Sequence, residues 1–325
     1  MNYIAQNNVV IVPHVQPWEP YLAEGVTFEQ YMDADDYAAH WEANRAHSIG
    51  GSDAGILLGL SLWATPVELW LEKTGKLKKS EANADSWPLW FGHHAETILR
   101  DWYAKEHPTE EVYSGTLFTF KAPDGYRHAN LDGIIMNDEE HRTPGVLEIK
   151  TSRSWSMWHD DNGETIIPPA YLAQVDHYMS VTGFNWARFV VMVGGYEPFT
   201  ITVERDEERE ASLLENEAKF WTCVKMPEMM QPMPVNVDDI AKLYPQPLST
   251  LETVPESQAQ EFESLARHLK DARETMKQAK EEASRLNDAL AVMIGDSAGL
   301  EHDGLRATLG TRAGKRSKTV KISEE

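Results

Sequence analysis

Asp132, Glu148 and Lys150 are the residues of this chain whose types and spacing could do chemistry together. They lie in the stretch RHANLDGIIMNDEEHRTPGVLEIKTSR, residues 127–153. There, two apolar, β-branched runs at 131–136 and 145–151 flank a polar turn rich in Asp, Glu, Thr, Pro and Gly. That pattern predicts two antiparallel strands joined by a loop. Pairing them brings Asp132 next to Glu148. Side chains alternate across a strand, so Glu148 and Lys150 project to one face while Leu147 and Ile149 enter the core. Two carboxylates and an ammonium then converge on one patch of a largely apolar sheet. A hard divalent cation such as Mg²⁺ takes one or two carboxylates together with water and substrate phosphate. A neighbouring lysine can orient the water or neutralise charge developing on the phosphate. A lone Glu-Ile-Lys is equally the surface charge pair of a solvated strand, so the surrounding elements decide.

Length and charge bound the answer. A chain of 325 residues buries a full core and holds one large domain with an appendage, or two domains. Its net charge of −22 excludes a broad basic surface for wrapping nucleic acid and by itself favours a protein partner. A DNA substrate would need a local positive groove and metal-bridged phosphates. Cys223, the single cysteine, forms no internal disulfide. The N-terminus lacks a basic region followed by a long apolar run, and no stretch approaches the roughly twenty apolar residues that span a bilayer. The expectation is a soluble, cytoplasmic protein.

The elements that must position the acids follow in order. After the apolar run 9–12 and a coil with proline and aromatics, a helix is expected over 27–46. The segment RAHSIGGSDAGILLG, 45–59, then reads as a tight glycine turn entering a helix N-terminus. Such a terminus exposes unpaired amides and positive dipole charge, a phosphate cradle to which Arg45 could add a bidentate fork. The plain alternative is that Ser52 or Asp53 is an ordinary N-cap. Thr65-Pro66-Val67-Glu68 is a capping box with proline at the first helical position, and Gly75 closes the helix. Its Leu69, Trp70 and Leu71 are expected in the core, and Trp63, Trp70, Trp87 and Trp90 as packing rather than base-stacking residues. A helix from 91 to about 105 carries His94-x-Glu96. This is half of a zinc deaminase signature without its Pro-Cys-x-x-Cys, so that reading fails. Glu96 could instead bring a third carboxylate to the acids.

Residues 112–120 read as a strand and 152–161 as a mobile loop, whose His159-Asp160 pair only superficially resembles metal ligands. A helix over 170–182 is stopped by Gly183. On it Gln174, His177 and Tyr178 share a face by spacing, either toward the acids or toward solvent. Two more strands, 187–193 (apolar, hence central) and 198–204, precede a charged helix over 206–224. The order predicts an α/β core with a mixed sheet and flanking helices.

Asp followed at a distance by Glu-x-Lys is the PD-(D/E)xK nuclease signature. The chain also resembles the YqaJ-type viral recombinases, relatives of phage lambda exonuclease. The shared pieces are R-x6-S ending in IGGSDAGILLGLS, then TPVELWLEKTG, FGHHAE, LDGII, VLEIKT and YLAQVDHYMSVTG, in the family's order over roughly residues 41–204. The resemblance implies a restriction-endonuclease-like core and a Mg²⁺-dependent alkaline exonuclease, with Mn²⁺ as a substitute. Such an enzyme digests one strand of linear duplex DNA from its 5′ end and leaves a 3′ strand for a phage single-strand annealing protein, in a bacterial host cell. It also implies a ring trimer. Carried over by position, Asp132, Glu148 and the Ile149 carbonyl would hold metal and Lys150 would orient or activate water. Glu96 would serve a second metal or position that water, and Gln174 would support the site. Arg45 and Ser52 would hold the 5′-terminal phosphate. Leu131 stands where the motif customarily has proline. Strand geometry rather than the proline ring places the carboxylate, so the departure is tolerable.

Residues 1–225 are thus expected as the nuclease domain, 226–255 as a proline-rich surface linker and 256–325 as an appendage. In the appendage Phe262, Leu265, Leu269, Ala272, Met276, Ala279, Ala283, Leu286, Leu290 and Met293 keep an a/d heptad spacing. That spacing marks a long helix laid against another, within an assembly, on a partner, or as an intramolecular strut. A short β-like tail with a basic run at 312–318 follows. Two other functions remain open: a non-catalytic recombination scaffold that docks a partner, and a PD-(D/E)xK endonuclease.

Overall fold

The computed structural model describes residues 16–77, 86–246, 249–312 and 315–324. The apolar run 9–12, Pro247 and the middle of the basic run lie outside the described residues. Chain contacts divide it into residues 1–245 and 246–325. The division follows Pro245, within the stretch 226–255 read as a linker.

The first unit is a mixed α/β fold built on a five-stranded mixed sheet. In chain order its elements are β1 (Thr27–Gln30), α1 (Ala34–His47), α2 (Gly51–Leu57), α3 (Pro66–Lys73) and α4 (Trp87–Glu106). Then come β2 (Glu111–Ser114), β3 (Phe118–Lys121), β4 (His128–Ala129), β5 (Gly133–Met136) and β6 (Gly145–Ser152). Helix α5 (Pro169–Thr182), β7 (Trp186–Val193), β8 (Phe199–Glu204), α6 (Glu207–Lys225) and α7 (Val237–Leu243) complete it. The main sheet has the order β2-β5-β6-β7-β8. Strands β5 and β6 pair antiparallel, with Gly133 opposite Leu147, as the apolar runs predict. Strand β7 lies parallel to β6, which requires a crossover, and α5 supplies it.

Both faces of the sheet are covered. Leu147, Ile149, Trp186 and Val190 pack on Ala95, Leu99 and Tyr103 of α4. Val146, Phe189 and Val191 pack on Val175, Tyr178 and Met179 of α5. A smaller sheet, β1-β3-β4, closes the latter core with Trp18 edge-on to Phe28, Phe118 and Phe120 at centroid distances of 5.0, 5.2 and 5.1 Å.

The helix expected over 27–46 is a strand followed by a shorter helix. Thr27 to Gln30 pair with Lys121 to Phe118, and the Asp33 carboxylate accepts from Asp36 N at 2.9 Å to start α1. The strand expected over 112–120 is two strands in different sheets. The break is Gly115, where a Cβ would meet the Leu131 backbone. Strand β7 is interior, but β6 is the middle strand. The loop after β6 is pinned rather than mobile, because Trp158 is fully buried and its carbonyl accepts from Ile166 N at 2.8 Å. Of the four tryptophans expected to pack, Trp70 alone is buried; Trp63, Trp87 and Trp90 are exposed. The expected linker contains α7. Asn236 caps it, and its buried Asp239 accepts from the Thr65 hydroxyl at 2.6 Å.

The second unit contains α8 (Glu256–Ile294) and the strands β9 (Gly299–His302), β10 (Leu305–Thr308), β11 (Thr311–Arg312), β12 (Lys315–Arg316) and β13 (Lys321–Glu324). Strand β10 pairs with both β9 and β13. The Asn287 amide bonds the tail at Lys318 O and Val320 N, at 3.0 and 2.7 Å. No helix among the described residues is long and apolar enough to cross a membrane.

Candidate active site

Asp132 sits at the entrance to β5 and Glu148 and Lys150 in the middle of β6, so the pairing of these strands sets their separation. One Asp132 carboxylate oxygen accepts from the Ile149 amide at 2.7 Å, tying the two strands at the position that carries both acids. Lys150 Nζ lies 2.5 Å from Glu148 Oε1 and donates to Gln174 Oε1 at 3.1 Å. The Gln174 amide nitrogen donates to Glu148 Oε1 at 2.8 Å and reaches the Tyr178 hydroxyl at 2.9 Å. Gln174 therefore bridges the acid and the amine of one strand from helix α5. The ammonium also lies 4.7 Å from the Tyr171 ring centroid.

Glu148 is almost wholly buried, because α5 covers the face onto which it projects, and its Oε2 has no hydrogen-bond partner. Burial, then the charge of Asp132, pushes the Glu148 carboxyl up to about 8. Glu96, projecting from α4, is also pushed to about 8, by burial first and then by Asp132 and Glu148. Asp132 is raised as well, burial outweighing Lys150 and the Ile149 amide. Lys150 is raised despite its burial, since Glu148 and Asp132 favour its charged form. Three acids thus lie against one amine and the Arg100 guanidinium, and the upward shifts of all three show a site that a further cation would relieve.

The donor set suits a hard cation. Glu148 Oε2 is a buried, unpartnered acceptor, and Asp132 and Glu96 lie within electrostatic reach of it. Among the described residues no three Asp, Glu, His or Cys side chains close into a ready-made cage. Mg²⁺ does not require one, since it keeps several waters and needs only one or two carboxylates.

The Arg45–Ser52 pair forms a second group. Arg45 Nη1 donates to Ser52 Oγ at 3.3 Å, and Nη2 lies 3.6 Å from Asp53. The residue capping α2 is Gly50, neither Ser52 nor Asp53; the Asp53 carboxylate instead accepts from Gly50 N at 3.1 Å. The near-buried ammonium of Lys73 donates to Arg45 O, Ser48 O and Asp53 at 2.5, 2.7 and 2.8 Å. This clamps the turn between α1 and α2. A Cβ at Gly51 would run into the Tyr178 ring, so α2 rests directly on the tyrosine that bonds Gln174.

His177 departs from the expected shared face. It is fully buried, with Nδ1 2.6 Å from Glu217 and Nε2 2.8 Å from His128 O. The ring of His159 stacks on Trp155 and Asp160 accepts turn amides, neither in a metal-ligand arrangement. Two site residues escaped the sequence reading. Arg100 donates to Asp132 O at 2.9 Å and stands one helical turn after Glu96, a spacing that could have revealed it. The Tyr37 phenol of α1 is pushed up by burial and by the charge of Asp132, and nothing local in sequence marks it.

These elements define a mixed α/β core with its acid cluster at the β5–β6 pair. Residues 40–185 match the YqaJ-like viral recombinase domain. The uncharacterised protein YqaJ of Bacillus subtilis (strain 168) is 35% identical over 192 residues, 56% of this chain and 54% of that protein. The chain spans about half the length of this curated relative. Among solved structures, the alkaline exonuclease LHK-Exo from Laribacter hongkongensis is 20% identical with a TM-score of 0.45, over 58% of this chain and 93% of that one. A phage related exonuclease from Haemophilus somnus 129PT is 13% identical with a TM-score of 0.37, over 56% and 96%.

Proposed function

We propose that this protein is a divalent-metal-dependent exonuclease that digests one strand of linear duplex DNA in the 5′→3′ direction. The observation that carries the reading is the convergence of Asp132, Glu148, Glu96, Lys150 and Gln174 from two strands and two helices on one buried, over-acidic point. Asp132, Glu148 and the Ile149 carbonyl would hold Mg²⁺ or Mn²⁺, which when bound supplies Lewis-acid stabilisation of the phosphate and a more acidic water.

The chain's own residues do the rest. Lys150, beside Glu148 and Gln174, would orient or activate the attacking water and neutralise phosphate charge. Glu96, facing the same acids from α4, would serve a second metal or position that water. Gln174 holds Glu148 and Lys150 in register. Arg45 and Ser52 receive the 5′ phosphate, so attack falls on the neighbouring phosphodiester. The product strand, with a 3′ end, would pass to a phage single-strand annealing protein, and a ring trimer would keep the enzyme on its substrate.

Linear and covalently closed circular duplex incubated side by side with Mg²⁺ test this. Strand loss from linear DNA alone is expected, abolished by Glu148→Ala or Lys150→Ala. Cutting of the closed circle would support an endonuclease, and no Mg²⁺-dependent hydrolysis of either would support a scaffold.

A further inference from the structure

Helix α8 lies outside the matched residues 40–185, and none of the catalytic argument uses it. It runs for 39 residues and is solvent-facing over nearly all of them. Along its seam Phe262, Leu265, Leu269, Met276 and Leu286 are between 47 and 62% exposed. A stripe of large apolar side chains on a helix of this length is far more than scattered surface hydrophobicity. Its middle is built of Ala272, Ala279 and Ala283, which let a second helix approach closely.

One flank of the seam is basic. Lys270, Arg273, Lys277 and Lys280 succeed one another at intervals of three, four and three residues, on one side of the helix over about 15 Å. All four are exposed, and among the described residues none lies within ion-pair distance of a carboxylate. The other cations of this helix, Arg267 and Arg285, are tied to Glu263 and Glu282 one turn away. The setting sharpens the contrast. Residues 246–325 hold 14 acidic and 12 basic side chains, so the acidic excess of the chain resides almost entirely in the first unit.

Self-pairing fits poorly. An antiparallel register that sets Leu265 against Leu290, Leu269 against Leu286 and Ala272 against Ala283 also sets Arg273 against Lys280 of the second copy, twice. A parallel in-register pair sets His268 beside Arg273, Thr275 beside Lys280 and Glu282 beside Asn287, with no opposite charges at the flanks. A phosphate chain would answer the four cations and leave the apolar seam in water. An amphipathic helix with carboxylates beside its apolar stripe answers both.

We propose that α8 is a docking helix for an acidic, heptad-patterned helix of a different polypeptide, which lays its apolar stripe on Phe262 to Leu286 and its carboxylates on Lys270, Arg273, Lys277 and Lys280. This surface does not depend on the nuclease reading.

The test uses the full chain and two synthetic amphipathic peptides matching residues 262–290 in length, both with leucine at a and d. One carries glutamate and the other lysine at the flanking positions. Fluorescence anisotropy at low and high salt is expected to show the glutamate peptide bound about tenfold more tightly, the preference shrinking with salt. The variant with Lys270→Glu, Arg273→Glu, Lys277→Glu and Lys280→Glu should reverse the preference, and Leu269→Asp with Met276→Asp should abolish binding of both peptides. All six positions are exposed, and circular dichroism confirms that the variants keep their helix. Equal affinity for the two peptides would overturn the proposal. So would light scattering showing self-association lost in the Leu269→Asp, Met276→Asp variant. So would binding of a single-stranded oligonucleotide that the four charge reversals remove.

Discussion

Replacing Glu96 by Gln should make the metal-free protein more stable while lowering its nuclease rate. The Glu96 carboxyl is raised from 4.5 in the unfolded chain to about 8 in the fold, by burial and by the charges of Asp132 and Glu148. A raised acid binds its proton more tightly when folded. Its contribution to stability is therefore complete below pH 4.5, is lost as pH rises toward 8, and is flat beyond. Each unit of that window is worth about 1.4 kcal/mol, so the ionisable side chain costs about 3 kcal/mol at pH 7. Glutamine carries no such cost, and Glu96 makes no hydrogen bond among the described residues that the change would break. In a unit of this size the difference corresponds to a rise in Tm of about 6–12 °C. Urea melts in EDTA at pH 5, 7 and 8.5 would measure it. The gap between variant and wild type should widen with pH and level off above 8, and millimolar Mg²⁺ should narrow it by neutralising the wild-type cluster. A gap independent of pH, or a variant less stable than wild type at pH 8.5, would refute the reasoning.

Three further outcomes follow from the same geometry. Lys150→Met should lower the rate of strand degradation by at least about a hundredfold with KM for linear duplex little changed, because in the proposed mechanism the ammonium would act on charge that develops during the reaction; steady-state kinetics on a 5′-phosphorylated substrate would show it, and a pure KM effect would contradict it. Lys73→Met should destabilise the protein by about 3 kcal/mol, since it leaves the buried Asp53 short of its closest partner and frees the Arg45 and Ser48 carbonyls; a loss under about 1 kcal/mol in urea would show that the clamp is dispensable. Gly51→Ala should weaken preference for a 5′-phosphorylated over a 5′-hydroxyl end, because its Cβ meets the Tyr178 ring and α2 must shift; an unchanged preference at unchanged stability would break the proposed link.

Legibility in the sequence followed the range of the interactions. The start of α3 was readable because Thr65, Pro66 and Glu68 cap it within one turn, and Thr65 indeed accepts from Glu68 N at 3.2 Å. The end of α5 was readable because Gly183 takes φ of 85°, which only glycine adopts freely. Strand β1 was not readable. Its only reason to be extended is β3, which joins it from across some ninety residues, Thr27 to Lys121. Likewise Asp132, Glu148 and Lys150 could be placed together from the pairing of adjacent strands, whereas Tyr37 reaches the acids only through tertiary packing. The exposure of Trp63, Trp87 and Trp90 was invisible because residue type alone does not say which face of a helix or turn is covered.

The proposed requirement for a DNA end can be traced to packing. The Arg45–Ser52 turn is held from below by Lys73 and from the side by the Ile49 amide on Tyr126 O and the His128 amide on Ile49 O, at 2.7 and 2.9 Å. Helix α2 then rests through Gly51 on Tyr178, and Tyr178 is bonded to the Gln174 that spans Glu148 and Lys150. Hydrogen bonds and close packing thus link the Arg45–Ser52 turn to the acids without a break. A terminal phosphate seated at Arg45 would therefore fix which phosphodiester lies over Glu148. The acidic balance would reinforce that choice, because the first unit carries nearly all of the −22 net charge and would repel duplex DNA not held at its end.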